Sequence, residues 1–377
     1  MRVLLLNSNS MVASYTDVCN RLKEALVQYG HDVQIISIRM VTDVFDANPI
    51  YMGDTVLLFK RGGTIRLGDR HVRMLRMRNA GRFDVVIMPQ LFVTSAVKML
   101  ADEWSTIADE TYFLGDLEGT TKGWSDEVRE KTRNFHVYSS SLFSTENIRN
   151  LGVKVDGMLE RYLNLKIFYN ADMRMVEQFR HRFGEFMLAW CGFEKARHPR
   201  KGFEELNRAY WIAGDKLPRC VVITNQTPEQ IEARYNEKIH PKLYIWNVFG
   251  KLEKQTQAAL YRAATYFVAT SHSEGFGLLP LESMASGTPT IYVDSRAQNE
   301  HSVGWRVPVN GEAWEPSHWE LVYKYFLYDP AELARVMVEA WEARNSAEYE
   351  DMCYKSLDIA SRYDLSNYSM INRIIGG

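Results

Sequence analysis

The segment Ser271 to Val293, SHSEGFGLLPLESMASGTPTIYV, strings together a polar strand end, a turn with two glycines, a short helix, a glycine stop and a new strand. YFVAT at 266 to 270 and TIYV at 290 to 293 are continuous apolar, β-branched runs, the kind that a sheet buried on both faces requires. A strand, a helix and a further strand in succession make a βαβ unit, which implies a parallel, doubly wound α/β fold. Gly275 and Gly277 let the backbone approach a ligand closely, and the amides of Phe276, Gly277, Leu278 and Leu279 open the helix behind them. A helix start at the carboxyl end of a strand attracts anions, and its free N–H groups suit a phosphate or diphosphate. Glu274 and Glu282 stand before this turn and a turn into the helix, so both are expected to face one crevice. Each carboxylate is a bidentate acceptor for vicinal hydroxyls, one for a sugar and one for a ribose.

The same alternation continues outward from this segment. Upstream lie FMLAWC from residue 186, a helix over 202–213, CVVIT at 220 to 224, LYIW at 243 to 246 and a helix over 254–264. Nearer the amino terminus, strands are expected at Val3 to Leu6, His31 to Ile38, Phe83 to Met88, Tyr112 to Leu114 and His136 to Tyr138. A helix from about Tyr15 ends at Gly30, and Ser144 with Gly152 brackets another. Between Leu165 and Gly184 the chain turns polar and Arg-rich, which places a junction there. Beyond Glu312 it is expected to be helical through Trp319 to Tyr328, Pro330 to Ala343 and Ser356 to Ile375. The domains are therefore set at 1–170, 171–355 and a terminal helix over 356–377.

A length of 377 residues agrees with two α/β domains, since one hydrophobic core rarely organises so long a chain. The net charge of −2 supplies no global field toward nucleic acid or anionic lipid. Cys19, Cys191, Cys220 and Cys353 lie far apart, which argues against a disulfide framework and fits a reducing, cytoplasmic setting. The apolar run at the amino terminus is too short for a signal peptide or a membrane span. No HxxxH or HExxH spacing occurs among the histidines, so no metal site is expected. No GxGxxG follows the first strand, which lowers the case for a nicotinamide dehydrogenase.

The chain resembles the GT-B glycosyltransferases of the retaining family 4 group, whose hallmark is a Glu, seven residues and a second Glu, here Glu274-GFGLLPL-Glu282. Four further stretches extend the likeness: Asn147 to Gly152 followed by Val153, the glycine and basic loop from Gly192 to Lys201, the segment Leu243 to Gly250 and the terminal SRYDLSNYSMINRI. The resemblance implies two Rossmann-like domains facing a cleft, with the last helix crossing back to the first domain. It implies metal-independent transfer of a hexose-type sugar from a nucleotide-diphosphate sugar, UDP- or GDP-linked, to an acceptor hydroxyl with retention, and no cofactor. Glu274 would contact the sugar, Glu282 the ribose, and Gly275 and the amides of Phe276 to Leu279 the diphosphate. Lys201 would neutralise the leaving diphosphate, Val248 and Phe249 would meet the base, and Asp116 would lie on the acceptor side. The family's basic partner after the loop glycine is replaced by Phe193, which leaves Lys195, Arg197 or Arg200 to substitute. Gly115 stands where many members carry a His before Asp116. The alternatives are a GT-B epimerase or hydrolase, and a catalytically weak protein that binds sugar nucleotide or glycan.

The near-zero net charge conceals one local excess. Between Leu57 and Phe83 stand Lys60, Arg61, Arg66, Arg70, Arg73, Arg76, Arg78 and Arg82 against Asp69 alone. On a helix, Arg70, Arg73 and Arg76 would line one side. That face is read as a solvated outer surface, a peripheral contact with an anionic membrane, or, as a lesser case, a contact with a nucleic-acid acceptor.

Overall fold

The computed structural model describes residues 1–7, 13–41, 50–52, 55–59, 83–89, 108–121, 125–192, 200–316 and 321–376. The chain divides into two units: Met1–Tyr162 with Trp319–Leu321 and Leu365–Gly377, and Leu163–His318 with Val322–Asp364. The junction thus stands at Tyr162 and Leu163, where the sequence reading sets 170, and the return falls at Leu365, where it sets 356.

In the first unit an eight-stranded sheet runs in the order Ile50–Met52, Thr55–Phe59, Asp32–Val41, Arg2–Asn7, Phe83–Met88, Ala108–Gly115, His136–Ser139, Gly157–Met158. All neighbours are parallel except the first pair. Val3, Leu4, Leu5 and Leu6 are fully buried at the centre, which is why this strand shows no polar alternation. The helix expected from Ser144 instead spans Leu142–Asn150, with the Ser141 hydroxyl accepting from the Ser144 N–H at 3.0 Å.

The second unit holds a six-stranded, all-parallel sheet in the order Leu243–Asn247, Arg219–Thr224, Phe186–Trp190, Tyr266–Ala269, Thr290–Val293, Gly304–Val307. Numbered along the chain this is 3-2-1-4-5-6, the dinucleotide-fold order, and the direction of winding switches between Phe186–Trp190 and Tyr266–Ala269. Phe186, Leu188 and Trp190 enter the core on one face, and Met187, Ala189 and Cys191 enter the core on the other. Two cores therefore draw on consecutive residues of one strand. Burying a side chain of this size stabilises by roughly 1.5–3 kcal/mol, and here both faces of the strand collect it.

Two expectations fail in the carboxyl-terminal third. Residues from 321 onward form a strand, Leu321–Leu327, antiparallel to Gly311–Pro316. Leu321, Tyr323 and Tyr325 are buried at every second position, and period-two burial of aromatic residues favours a strand over the expected helix. Trp319 lies outside the described residues. The expected Ser356 to Ile375 helix is broken as well, with Ala347–Ser361 ending before Ser369–Gly376 begins. At the break the Tyr363 carbonyl accepts from the Leu163 N–H at 2.7 Å, and the Asp364 carboxylate accepts from the Leu165 N–H at 3.3 Å. The Tyr363 carbonyl is thus paired outside the helix, with a residue 200 positions earlier in the same chain.

Candidate functional site

The site is built on the two strands that flank the winding switch. After Phe186–Trp190 the chain reaches Arg200 and Lys201 at the start of the Phe203–Ala213 helix, and after Tyr266–Ala269 it reaches Glu274. Gly202 joins the loop to its helix with φ +62, and a Cβ there would collide with the Thr270 carbonyl oxygen and the Tyr328 hydroxyl. The Thr270 hydroxyl donates to the Lys201 carbonyl at 2.7 Å, the Ser271 hydroxyl to the Arg200 carbonyl at 3.2 Å, and the His272 N–H to the same carbonyl at 2.8 Å. These bonds fix the basic loop against the strand end, and the charges meet as a result. Lys201 Nζ pairs with one oxygen of Glu274, while Arg200 Nη1 lies 3.3 Å from the other and donates to the Ser273 carbonyl at 2.7 Å. Burial raises the Glu274 carboxyl, but the Lys201 and Arg200 charges overcome it and hold the group down at about 2.

Gly277, at φ +98, precedes the Leu278–Ala285 helix, whose amino terminus has no side-chain cap. The first-turn amides of that helix therefore have no intrahelical acceptor. Phe276 is buried and stacks on His301 with ring centroids 4.7 Å apart, so this residue offers a ligand its backbone while its ring serves the core. His301 Nε2 lies 3.1 Å from the Gly277 carbonyl, and burial depresses its ring to about 4. At neutral pH it is thus a neutral imidazole donating from Nε2. Its Nδ1 has no hydrogen-bond partner among the described residues.

Glu282 is only 2% exposed, on the same helix. Its carboxylate lies 2.9 Å from Lys254 Nζ and accepts from the Tyr261 hydroxyl at 3.4 Å. The two glutamates therefore have separate cationic partners, Lys201 with Arg200 for one and Lys254 for the other. At the edge of this sheet, the Val248 N–H donates to the Trp246 carbonyl and the Phe249 N–H to the Thr224 carbonyl, at 2.9 and 3.0 Å. Those amides are already engaged, and the Val248 carbonyl accepts from the Lys251 N–H at 2.9 Å. The Phe249 ring sits against Gly192, where a Cβ would come within 2.9 Å of it.

Asp116 belongs to the first unit. It is buried there, 2.7 Å from Arg161 Nη2, and its other oxygen accepts from the Ser140 hydroxyl. Arg197, Phe193 and Lys195 lie outside the described residues, as do Arg70, Arg73 and Arg76 and most of the basic segment around them. Lys254, Tyr261, His301, His272 and Glu205 were not singled out from the sequence. A Lys at the head of a helix or a lone buried His carries no local pattern, and each acquires a role only through a partner distant in the chain.

Residues 188–316 match the family model for glycosyl transferases, group 1. The match takes in the basic loop, both glutamates and the glycine turn. A glycosyltransferase numbered 48 in Sulfolobus islandicus filamentous virus (isolate Iceland/Hveragerdi) is 26% identical over 116 residues, 31% of this chain and 37% of that protein. Uncharacterized glycosyltransferase 335 of Sulfolobus islandicus rod-shaped virus 1 is 24% identical over 242 residues, 60% of this chain and 69% of that protein. The chain thus spans little more than a third of the first relative's length. Among solved structures, the sucrose-phosphate synthase of Thermosynechococcus elongatus superposes with a TM-score of 0.68 at 15% identity, covering 99% of this chain and 98% of that one. Anabaena Alr3699/HepE in complex with UDP-glucose does so at 0.67 and 12%, covering 100% and 98%. The fold is GT-B, with two Rossmann-like units. No described helix is long and apolar enough to cross a membrane.

Proposed function

We propose that this protein is a retaining glycosyltransferase whose second unit binds a nucleotide-diphosphate sugar and passes its sugar, a hexose, to an acceptor hydroxyl. The observation that carries the reading is the meeting of Lys201, Arg200 and Glu274 at the winding switch, beside a helix whose first amides are uncapped. Cations and aligned N–H groups suit a diphosphate, and a carboxylate among them suits the hydroxyls of the sugar that it carries. The group 1 match over 188–316 and the UDP-glucose held by the Anabaena neighbour support a nucleotide sugar, with UDP favoured.

As the glycosidic bond breaks, the anomeric carbon gains positive character and negative charge grows on the departing diphosphate. Lys201, Arg200 and the amides from Gly277 onward stabilise that growing charge more than they stabilise the bound donor, which is what lowers the barrier. Their charge takes the place that a metal ion would otherwise fill, so transfer proceeds without one. Glu274, ionised at neutral pH, accepts from sugar hydroxyls and cannot serve as a proton donor. The acceptor oxygen forms its bond on the face that the diphosphate leaves, and a phosphate oxygen takes its proton. Glu282 receives the ribose hydroxyls in the place where Lys254 and Tyr261 hold its carboxylate.

Lys201→Ala and Glu274→Gln should each lower turnover of the donor by about 100- to 1000-fold, the cost of removing one stabilising group at a site of developing charge. The glycosidic product, followed by NMR, should keep the anomeric configuration of the donor. Wild-type turnover in either variant would sink the assignment of these residues, and an inverted product would sink the retaining mechanism.

A further inference from the structure

His272 lies two positions before Glu274, is only 5% exposed and takes no part in the chemistry proposed above. Its Nε2 is 3.1 Å from Glu205 Oε1, and its Nδ1 is 3.1 Å from the Phe326 carbonyl oxygen. Both neighbours are acceptors. A neutral imidazole has one N–H and one lone pair, so a neutral ring would set its lone pair against an oxygen. An imidazolium donates to both. The ring also stacks with Tyr325 and with Tyr328, with centroids 5.3 and 4.9 Å away and interplanar angles of 6° and 29°. Aromatic faces stacked on a flat cation are a favourable arrangement.

The backbone of His272 ties together the same three elements. Its N–H donates to the Arg200 carbonyl at 2.8 Å, and its carbonyl accepts from the Phe326 N–H at 2.9 Å. Glu205 stands in the first turn of the Phe203–Ala213 helix, directly after the loop that bears Lys201. One side chain therefore joins the basic loop's helix, the Leu321–Leu327 strand and the strand end that carries Glu274. We propose that His272, as an imidazolium clamped between Glu205 and the Phe326 carbonyl, is a positioning residue that holds Lys201 and Arg200 in register with Glu274.

The groups that face the ring agree with this protonation state. Glu205 and Glu204 come from the helix, Tyr325 from the Leu321–Leu327 strand and Tyr328 from just beyond it, and Arg200 contributes its carbonyl to the His272 N–H. Burial of the ring opposes its charge, yet the hydrogen bond and charge of Glu205, with the Phe326 carbonyl and Glu204, raise its pKa above the ordinary histidine value. Burial likewise opposes ionisation of Glu205, but its bond to His272 and the charge there lower it below the ordinary carboxylate value. Because the ring's pKa is raised and that of Glu205 is lowered, the clamp stands between the two folded-state values: it is lost as pH rises through that of His272 and as pH falls through that of Glu205.

The inference rests on the transferase reading, and the test separates the two. The imidazole of His272 is titrated by NMR in the full-length protein, and kcat/KM for UDP-glucose, the nucleotide sugar held by the Anabaena neighbour, is measured across the same pH range. The alkaline limb of kcat/KM should coincide with the His272 titration. Glu205→Gln should move both to lower pH together and lower kcat at neutral pH by roughly 10- to 100-fold, the scale of loss from a misplaced catalytic group. An alkaline limb in the wild type that lies apart from the imidazole titration would overturn the positioning role, as would a limb that stays in place in Glu205→Gln while the imidazole shifts. A wild-type protein that turns over no nucleotide sugar would overturn the transferase reading, and the NMR titration would still report whether the clamp exists.

Discussion

At the scale of single residues, the second unit sets its ionisable side chains by pairing. Glu274 has burial against it and two cations for it, and the cations win, so its carboxyl is held down at about 2. A depressed folded-state value means stability that is present above the ordinary carboxylate range and lost as pH falls through the folded value. Acid unfolding of the wild type should therefore steepen between about pH 4.5 and pH 2, where Glu274→Gln should show a flatter profile. Identical acid profiles would contradict the pairing. Two histidines near the same turn take opposite states because their partners differ: His272 faces two acceptors and carries a charge, while His301 faces one carbonyl and is kept neutral by burial. Asp116, expected on the acceptor side, is engaged by Arg161 and Ser140 within the first unit.

At the scale of elements, the central prediction concerns the joint between the basic loop and its helix. Gly202 has φ +62 and no space for a Cβ, because the Thr270 carbonyl and the Tyr328 hydroxyl occupy it. Gly202→Ala should cost more than about 2 kcal/mol, left-handed backbone strain plus displacement of the strand end, read as a lower denaturant midpoint at unchanged slope. A midpoint equal to that of wild type would show the joint to be loose. Strands such as FMLAW and CVVIT were legible in the sequence because both faces are buried and no polar residue interrupts them. Leu321–Leu327 is a strand where a helix is expected, because the alternate burial that decides it comes from packing and not from the local residue types. The glycine turn and both glutamates could be found as a local pattern. The partners Lys254, Tyr261, Glu205 and His301 could not, since only the packing of distant elements brings them there.

At the scale of the whole molecule, the 3-2-1-4-5-6 order of the second sheet explains why the proposed donor site can be read from one unit alone. Lys201, Arg200, Glu274, Glu282, Val248 and Phe249 all fall within Leu163–His318. A chain with a net charge of −2 has no general affinity for anions, so on the proposed reading a diphosphate is recognised locally, by these paired cations and the uncapped helix. The most direct test is a thermal-shift titration of the full-length protein with a panel of nucleotide sugars that includes UDP-glucose. At 100 times its dissociation constant the correct donor should stabilise the wild type by about 2.7 kcal/mol, and Lys201→Ala should lose most of that gain. A panel in which no nucleotide sugar raises the wild-type midpoint, or one in which Lys201→Ala responds as the wild type does, would contradict the donor site described above.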